Sequence, residues 1–288
     1  MRNFLRLLQR QFYKLKRNRW ERFQNSARRF IVYNYQNIFK IRLYKDSYLS
    51  EDIYKNKFEL DEAQFISDFL KEGDIFIDIG ANIGLYTLMA AQKVGNQGKV
   101  YSFEPTGTTY KRLLENIEIN RFNNIIPVNK ALSDKNGRFE MNVSCDGFDG
   151  WNSFTKITRG SKSRTETVEA TQVDSFFNDD KIWDRISLIK IDVEGWEKFV
   201  MLGGDEHFKR AKSPVLIVEF VDQNIINAGY TCQELYQILV SCGYTLYSIK
   251  DRILEKEHVK ENYVYSNLVA AKNLEEIRKR LKTWHIKE

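Results

Sequence analysis

The segment IFIDIGANIGLYT, residues 75–87, joins a strand to a helix without a linker. Its first half is an apolar run that predicts a buried strand, and its second half is the glycine-punctuated start of a helix. Asp78 lies near the carboxyl end of the strand, at the edge where open α/β sheets bind ligands. Gly80 and Gly84 allow a tight turn and a close backbone approach. The segment therefore predicts a ligand-binding corner in an α/β protein.

Strands and helices alternate after this corner. Residues 99–105 (KVYSFEP) predict a second strand, TTYKRLLENIEIN predicts a helix, and residues 125–132 (IIPVNKAL) predict a third strand. Residues 136–175 interrupt the alternation with hairpin-like stretches, and four more strands are predicted from ISLIKIDVEG, PVLIVEF, YTLYSI and SNLVAAK. Strands separated by helices of this length indicate βαβ units on a parallel sheet with helices on both faces.

The glycine pattern of the corner helps to select its ligand. The chain has D-x-G-x-x-x-G instead of the G-x-G-x-x-G of dinucleotide-binding proteins, which disfavours a dehydrogenase. A carboxylate at Asp78 repels phosphates and attracts an ammonium, directly or through water. Glu104 ends the second strand 26 residues later, where an acid binds ribose hydroxyls. A ribose joined to an amino acid describes S-adenosylmethionine, although the glycines alone are also compatible with a plain βα turn.

The chain resembles the FkbM-type methyltransferases over about residues 50–220, in DIFIDIGANIGLYT, GKVYSFEP, NKALSDKNG, VDSF, LIKIDVEGWE and PVLIVEF. The resemblance implies a class I methyltransferase (Rossmann-like) fold, with a mainly parallel seven-stranded sheet, helices on both faces and an antiparallel last strand. It also implies S-adenosylmethionine as methyl donor and a hydroxyl as acceptor, often on a sugar or a secondary metabolite. By position it assigns Glu104 to the ribose and Ala131 to the neighbourhood of the adenine. The residues that it assigns to the cofactor loop are Asp78, Gly80, Asn82 and Gly84.

Acids at later strand ends are the candidates for the chemistry. An alcohol must lose its proton as it attacks the methyl group, or have its pKa lowered by a metal. Asp192 and Glu194 follow the fourth strand and are the predicted catalytic residues, as a base or as substrate ligands. Asp192 and Glu219, on adjacent strand ends, also form a predicted site for Mg²⁺ or Mn²⁺. The remaining alternative is structural, because an acid at a helix start complements the helix dipole.

Trp151, Asn152 and Ser153, in the glycine-flanked stretch DGWNSF, are the predicted acceptor contacts. An exposed tryptophan stacks on a sugar ring, and the other two supply directional hydrogen bonds. The alternative is a loop anchored by a buried tryptophan. The predicted function is therefore O-methylation of a sugar of a glycan or glycoconjugate. A secondary-metabolite acceptor and a non-catalytic, cofactor-binding scaffold recruited by its basic N-terminus are the alternatives.

The charge of the chain is concentrated at one end. Residues 1–45 contain thirteen Lys/Arg and one acid, a net charge of +12, whereas residues 46–288 have a net charge of −6. A helical apolar stripe runs through this basic extension, formed by Leu5, Leu8, Phe12 and Leu15. Such a helix binds an anionic membrane surface, or packs onto its own domain or a second copy of the chain. Nucleic acid is not an expected partner, since nothing else in the chain indicates base recognition.

Three regions are predicted: a basic amphipathic extension over 1–45, a methyltransferase domain over 46–272 and a C-terminal helix over 273–288. The three cysteines lack CxxC spacing, which disfavours disulfides or a zinc cluster and fits a reducing compartment. No apolar run approaches the ~20 residues of a membrane span. We therefore expect a cytoplasmic protein, peripheral at the inner membrane surface if the extension binds there.

Overall fold

The computed structural model of the chain describes residues 14–155 and 162–288. Its strands are β1 (Phe30–Tyr35), β2 (Phe39–Tyr44), β3 (Ile75–Ile79), β4 (Lys99–Phe103), β5 (Ile125–Val128), β6 (Ala131–Leu132), β7 (Gly137–Ser144), β8 (Ser163–Thr171), β9 (Ile186–Ile191), β10 (Val215–Phe220), β11 (Thr245–Lys250), β12 (Ile253–Lys256), β13 (Ser266–Ala271) and β14 (His285–Lys287). Its helices are α1 (14–24), α2 (Tyr48–Lys55), α3 (Leu60–Phe69), α4 (Leu85–Val94), α5 (Gly107–Asn120), α6 (Val173–Phe176), α7 (Asp180–Trp183), α8 (Glu197–Leu202), α9 (Asp205–Lys209), α10 (Asp222–Asn227), α11 (Cys232–Ser241) and α12 (Leu274–Arg280), and a 3₁₀ turn covers Asp149–Trp151.

The central sheet has nine strands in the order β14-β12-β11-β13-β10-β9-β3-β4-β5. The five strands from β10 to β5 are parallel, and β13 runs antiparallel between β10 and β11. This confirms the class I methyltransferase fold, with its mainly parallel sheet and antiparallel last strand. The sheet exceeds the seven expected strands because β12 pairs with β11 and β14 pairs with β12 at one edge.

The sheet separates two apolar cores. Ile77 and Ile79 of β3 pack into one core, and Phe76 packs with Leu88 of α4 in the other. Successive side chains of a strand point to opposite faces, so one apolar run supplies both cores. Every residue of β3 is buried, as expected for a strand covered by helices on both faces.

The order of the parallel strands creates a crevice at their carboxyl ends. From β3 the chain proceeds outward through β4 to β5, and it later returns to place β9 on the other side of β3. Open α/β sheets bind ligands at such a reversal of strand order. The predicted acids Asp78, Glu104, Asp192 and Glu219 all lie at or next to these carboxyl ends.

Two predicted elements differ from the structure. The third predicted strand, 125–132, is divided into β5 of the central sheet and β6, which pairs with β8 in a separate three-stranded sheet with β7. Pro127 lies in β5, at an edge of the central sheet, where a residue without an N–H is tolerated. The helix predicted over 273–288 ends at Arg280, and His285–Lys287 form β14 because they pair with β12.

The described part of the basic extension packs on the domain. Trp20 of α1 is fully buried and Phe23 nearly so, whereas Leu15 is 58% exposed. The β1–β2 hairpin that follows is anchored by a 2.6 Å hydrogen bond from the Arg42 amide to the Asn116 side chain of α5. Leu5, Leu8 and Phe12 of the predicted stripe lie outside the described residues. Binding to a membrane or to a second copy of the chain stays a prediction.

Among the described residues, no helix is both long and apolar enough to cross a membrane.

Candidate active site

Glycines at the corner between β3 and α4 allow a backbone conformation and a close packing that other residues rarely adopt. Gly80 has φ +85°, and a Cβ placed on it would lie 1.9 Å from the Asp192 carbonyl oxygen. Gly84 has φ +94°, and a Cβ there would lie 2.6 Å from the Leu113 side chain. Side chains are strongly disfavoured at both positions. Gly80 therefore brings the β3 loop directly against the residue that follows β9.

Two cavities meet at this corner. We call them the Glu104 cavity, whose walls include Glu104, Ala131 and Asn152, and the Glu219 cavity, whose walls include Glu59, Trp151 and Glu219. Five residues line both cavities and mark the junction: Gly80, Asn82, Gly150, Asp192 and Glu194. An elongated ligand that starts in one cavity can therefore reach the other past Gly80 and Asp192.

Glu104 is held rigidly at the end of β4. One carboxylate oxygen accepts a 3.1 Å hydrogen bond from the Asn82 amide, and the other accepts from the Thr106 amide at 3.0 Å and its hydroxyl at 2.6 Å. Burial raises the pKa of Glu104 to about 7, although these hydrogen bonds favour the charged form. The predicted ribose ligand and the predicted adenine neighbour, Ala131, thus line the same cavity.

Asp78 lies beneath the loop and lines neither cavity. Its carboxylate accepts a 2.6 Å hydrogen bond from the Thr87 hydroxyl, and the residue is 1% exposed. Burial raises the pKa of Asp78 to about 6, against the opposing effects of Lys190 and Thr87. This geometry disfavours a direct contact between Asp78 and a cofactor ammonium, and a contact through water stays a prediction. Its carboxylate instead fixes the first turn of α4 to β3.

Three carboxylates gather at the junction and in the Glu219 cavity. One oxygen from each of Asp192, Glu194 and Glu219 lies within 4.8 Å of the others. Burial raises the pKa of Glu194 and of Glu219 well above the usual value, and neighbouring carboxylates raise both further. Glu219 is 4% exposed, and within residues 14–155 and 162–288 its side chain has no hydrogen bond or ion pair. Such a group needs a cation, a proton or a donor to compensate its charge.

Lys190 provides positive charge beside these carboxylates. Its ammonium, on buried β9, forms an ion pair with Asp192 and lies 4.0 Å from the Glu59 carboxylate. Burial lowers the pKa of Lys190, but the attraction of Asp192 and Glu59 outweighs burial, and the pKa is raised. The lysine therefore stays charged and fixes the position of the Asp192 carboxylate.

Glu59 lines the Glu219 cavity and is held by several hydrogen bonds. It precedes α3 with φ +38°, an uncommon conformation for a glutamate. Its carboxylate accepts a 2.5 Å hydrogen bond from the Tyr86 hydroxyl, a 3.2 Å bond from the Asn267 amide and a further one from the Tyr265 hydroxyl. These bonds join the α2–α3 connection to α4 and to β13.

Three aromatic rings form another wall of the Glu219 cavity. Tyr48 stacks on Phe148 with ring centroids 4.3 Å apart, and Phe148 stacks on Trp151 at 4.7 Å. All three residues line the cavity. A flat aromatic surface fits the apolar face of a sugar ring. Trp151 is therefore placed where the predicted acceptor contact requires it, while the contact itself stays a prediction.

Asn152 and Ser153 are used differently from the prediction. The Asn152 side chain accepts a 2.9 Å hydrogen bond from the Ser144 amide, and the residue lines the Glu104 cavity. The Ser153 hydroxyl donates a 2.7 Å hydrogen bond to the Glu194 carbonyl and lines neither cavity. Because the Asn152 carbonyl oxygen and the Ser153 hydroxyl are bonded to backbone groups, they anchor this loop, and Ser153 also holds the backbone at Glu194. Neither residue lines the Glu219 cavity, and their role as acceptor contacts stays a prediction.

The sequence-based prediction missed Glu59, Lys190 and Tyr265. Lys190 had a usable signal, because LIKID contains a lysine in an otherwise apolar strand and a buried charge needs a partner. Glu59 and Tyr265 had none: they lie 206 residues apart in the chain and belong to no motif.

Together, the fold and the two joined cavities define a class I methyltransferase. Residues 78–246, more than half of the chain, match the family described as the Methyltransferase FkbM domain. The protein therefore belongs to the FkbM methyltransferase family, as its motifs predict. The matched range contains the junction and the three carboxylates, but it leaves out Glu59 and Tyr265.

Several known proteins are similar to this chain, and their names describe different reactions. It is 28% identical over 177 residues to "Hexuronic acid methyltransferase AglP" of Haloferax volcanii, covering 62% of this chain and 64% of the relative. It is 33% identical over 94 residues to "tRNA(Phe) (4-demethylwyosine(37)-C(7)) aminocarboxypropyltransferase" of Methanocaldococcus jannaschii, covering 33% of this chain and 34% of the relative. Each alignment spans less than two thirds of the relative. A solved SAM-dependent methyltransferase from Aquifex aeolicus has a TM-score of 0.40 and 15% identity, covering 74% of this chain and 88% of that one.

Proposed function

We propose that this protein transfers the methyl group of S-adenosylmethionine to a hydroxyl oxygen of a sugar. The observation that carries the proposal is the junction itself. A cavity bounded by an acid suited to a ribose meets, at Gly80 and Asp192, a cavity lined by carboxylates and stacked aromatic rings. Membership of a methyltransferase family supports the transfer of a methyl group.

The Glu104 cavity suits the adenosine part of the cofactor. Each Glu104 oxygen has lone pairs beyond those used by Asn82 and Thr106, so the carboxylate can also accept from ribose hydroxyls. Apolar residues, among them Ala131 and Leu132, line the same cavity and suit a base. The amino-acid part then extends past Gly80 toward the carboxylates, which attract its ammonium.

The chemical task falls on the acceptor oxygen, because the methyl group of a sulfonium is already activated. A sugar hydroxyl must lose its proton as the new C–O bond forms. Asp192 is the candidate base, since it lines both cavities and Lys190 fixes its carboxylate. Glu194 is its neighbour and is itself held by a 2.6 Å hydrogen bond from the Asn224 amide.

A divalent cation fits the same carboxylates. Asp192, Glu194 and Glu219 offer hard oxygen ligands of the kind that Mg²⁺ and Mn²⁺ prefer. The Glu219 carboxylate, buried and without a hydrogen bond in the described chain, gains a partner if a cation is bound. Such a cation would lower the pKa of a hydroxyl placed beside it. Asp192 would then orient the acceptor in addition to receiving its proton.

A sugar is the favoured acceptor because of the aromatic wall. Tyr48, Phe148 and Trp151 form a stacked aromatic group that lines the cavity beside groups able to bind hydroxyls. The Haloferax relative is named for a sugar substrate, a hexuronic acid, which also supports a carbohydrate acceptor.

Turnover measured by mass spectrometry tests the proposal. The protein is incubated with S-adenosylmethionine carrying a labelled methyl group and with a panel of glycosides, and an alkali-stable O-methyl ether is the expected product. Asp192→Asn is the matched control, because it keeps the shape of the site and removes its base. Cofactor binding without transfer to any hydroxyl would contradict the proposal and favour the scaffold alternative.

The same transfer assay, run with EDTA and with added metal ions, tests whether a cation is needed. Loss of transfer in EDTA, with recovery on addition of Mg²⁺ or Mn²⁺, is the result expected if the three carboxylates hold a cation. Transfer that resists EDTA and does not respond to added metal would exclude the cation and leave Asp192 acting alone.

A further inference from the structure

The walls of the Glu219 cavity are unbalanced in charge. Among the described residues, Lys190 is the basic side chain that lines it. The acidic ones are Asp52, Glu59, Asp192, Glu194 and Glu219. Five acidic groups and one basic group give this lining a formal net charge of −4 when all are ionised, and of −2 when Glu194 and Glu219, whose pKa values are raised, hold protons. In either case a ligand that enters the cavity meets a negative surface.

Lys190, the basic side chain of the described lining, already has acidic partners. Lys190 is 2% exposed, ion-paired with Asp192 and 4.0 Å from the Glu59 carboxylate. The stacked wall of Tyr48, Phe148 and Trp151 adds no charged group to the lining. Within the described lining, a carboxylate on the acceptor therefore finds no cationic partner.

We propose that this cavity accepts a neutral or amine-bearing sugar ring and rejects a ring that carries a carboxylate. The inference rests on the proposed sugar O-methylation and narrows its substrate class. It separates this chain from the acceptor named for its Haloferax relative, a hexuronic acid. The physical reason is that an unpaired carboxylate among like charges in a partly desolvated site is strongly disfavoured.

A bound divalent cation does not remove this preference. A divalent cation on ionised Asp192, Glu194 and Glu219 leaves the described lining at a formal charge of −2. Asp52 and Glu59 are not part of that group and still line the cavity. The discrimination against a uronate then keeps its sign.

Matched pyranosides measure this discrimination. Methyl hexosides and the corresponding methyl hexuronides, in the gluco, galacto and manno series, differ only at C6, and 2-amino hexosides add the amine. Binding to the full-length protein loaded with S-adenosylhomocysteine is measured by calorimetry, and transfer from S-adenosylmethionine is measured in parallel. One unpaired like charge at ~8 Å and an effective dielectric of ~20 weakens binding by about 30-fold, which is the minimum ratio expected.

A charge variant at the cavity rim tests the cause. Asp52 is exposed on α2, and Asp52→Lys places a cation where a uronate can reach it. The ratio of hexoside to uronide binding is expected to fall by about 10-fold. Glu118→Lys is the matched control, because Glu118 is exposed on α5 and lines neither cavity. A ratio that changes equally in both variants, or in neither, would overturn the electrostatic cause and with it the inference.

The outcomes separate this inference from the proposed function. Preference for hexosides and amino hexosides over uronides supports it. Uronides bound and methylated as well as hexosides would overturn it and leave sugar O-methylation standing. Failure of every pyranoside, with methylation of a non-sugar hydroxyl, would overturn both.

Discussion

The two cavities of the site differ in how their lining residues are distributed along the chain. The Glu104 cavity takes its walls mainly from successive strand ends and the loops after them, at Gly80, Glu104 and Ala131. The Glu219 cavity draws on segments scattered from α2 to the start of β13, including Glu59 and Tyr265. The walls of the first cavity therefore follow from the fold, whereas those of the second also depend on contacts between segments that are distant in sequence. The predictions below test this separation.

The largest expected effect is that of Asp192→Asn. The amide cannot accept the proton of the acceptor, so kcat should fall roughly 10³-fold. Affinity for 5′-methylthioadenosine, measured by calorimetry, should change little, because this nucleoside lacks the amino-acid part that reaches Asp192. A variant that retains most of its kcat, with the fold confirmed by circular dichroism, would remove Asp192 from the chemistry.

Glu104→Ala should affect the cofactor cavity alone. Losing hydrogen bonds between a charged group and the ribose should weaken binding of S-adenosylhomocysteine by about 10- to 100-fold. Glu219→Gln is the matched comparison, since it alters the other cavity and should leave the affinity for 5′-methylthioadenosine unchanged. Equal losses of 5′-methylthioadenosine affinity in both variants would break the separation between the two cavities.

The pH dependence of nucleoside binding should identify Glu104. Burial raises its pKa to about 7, and the ionised form is the better acceptor for ribose hydroxyls. The affinity for 5′-methylthioadenosine, which lacks the amino group, should therefore rise about 10-fold between about pH 6 and pH 8. The same dependence in Glu104→Gln would assign it to another group.

The raised pKa of Glu104 also affects the stability of the ligand-free protein, which should fall, not rise, as the pH increases. The folded protein keeps the Glu104 proton over a range in which the unfolded chain, with the ordinary value of 4.5, has released it. The favourable contribution is complete below the unfolded pKa and is lost as the pH rises through about 7. Chemical denaturation of wild type and Glu104→Gln across this window measures it, and parallel curves would contradict it.

The smallest expected effect is that of Trp151→Ala. Removing one ring from the aromatic wall should raise the KM for the acceptor by about 5- to 10-fold, with S-adenosylhomocysteine affinity unchanged. Trp151→Phe keeps a ring to stack on Phe148 and should restore most of the loss. If the two variants behave alike, the ring does not contact the acceptor.

The fold and the residues that line the Glu104 cavity could be predicted because their signals are local. The apolar run of β3, the glycines at the corner and the acid after β4 are each contained in a short segment, and the alternation of elements sets the parallel sheet. The grouping of Asp192 with Glu219 also followed, since adjacent strand ends meet at one edge. For Asp78 the strand-end position predicts a contact with the ammonium, directly or through water, and the geometry disfavours the direct one because its side chain binds Thr87 of the helix behind the loop.

The lining of the Glu219 cavity could not be predicted in full because its contacts are long-range. Glu59 binds Tyr265 across 206 residues of chain, and no pattern in either segment records it. Residue type predicts Asn152 and Ser153 as acceptor contacts, but the Asn152 carbonyl oxygen and the Ser153 hydroxyl bind neighbouring backbone groups. Polar residues beside an aromatic one therefore indicate a loop, and only the geometry tells which of them faces the cavity.

The most direct test of the account is a crystal structure of the protein with S-adenosylhomocysteine bound. We predict the ribose hydroxyls on Glu104, the base beside Ala131 and the sulfur at the junction of Gly80 and Asp192, facing the cavity of Trp151 and Glu219. The account would be contradicted by adenosine bound in the Glu219 cavity. A sulfur atom directed away from Asp192 would contradict it as well, because no acceptor in that cavity could then receive the methyl group.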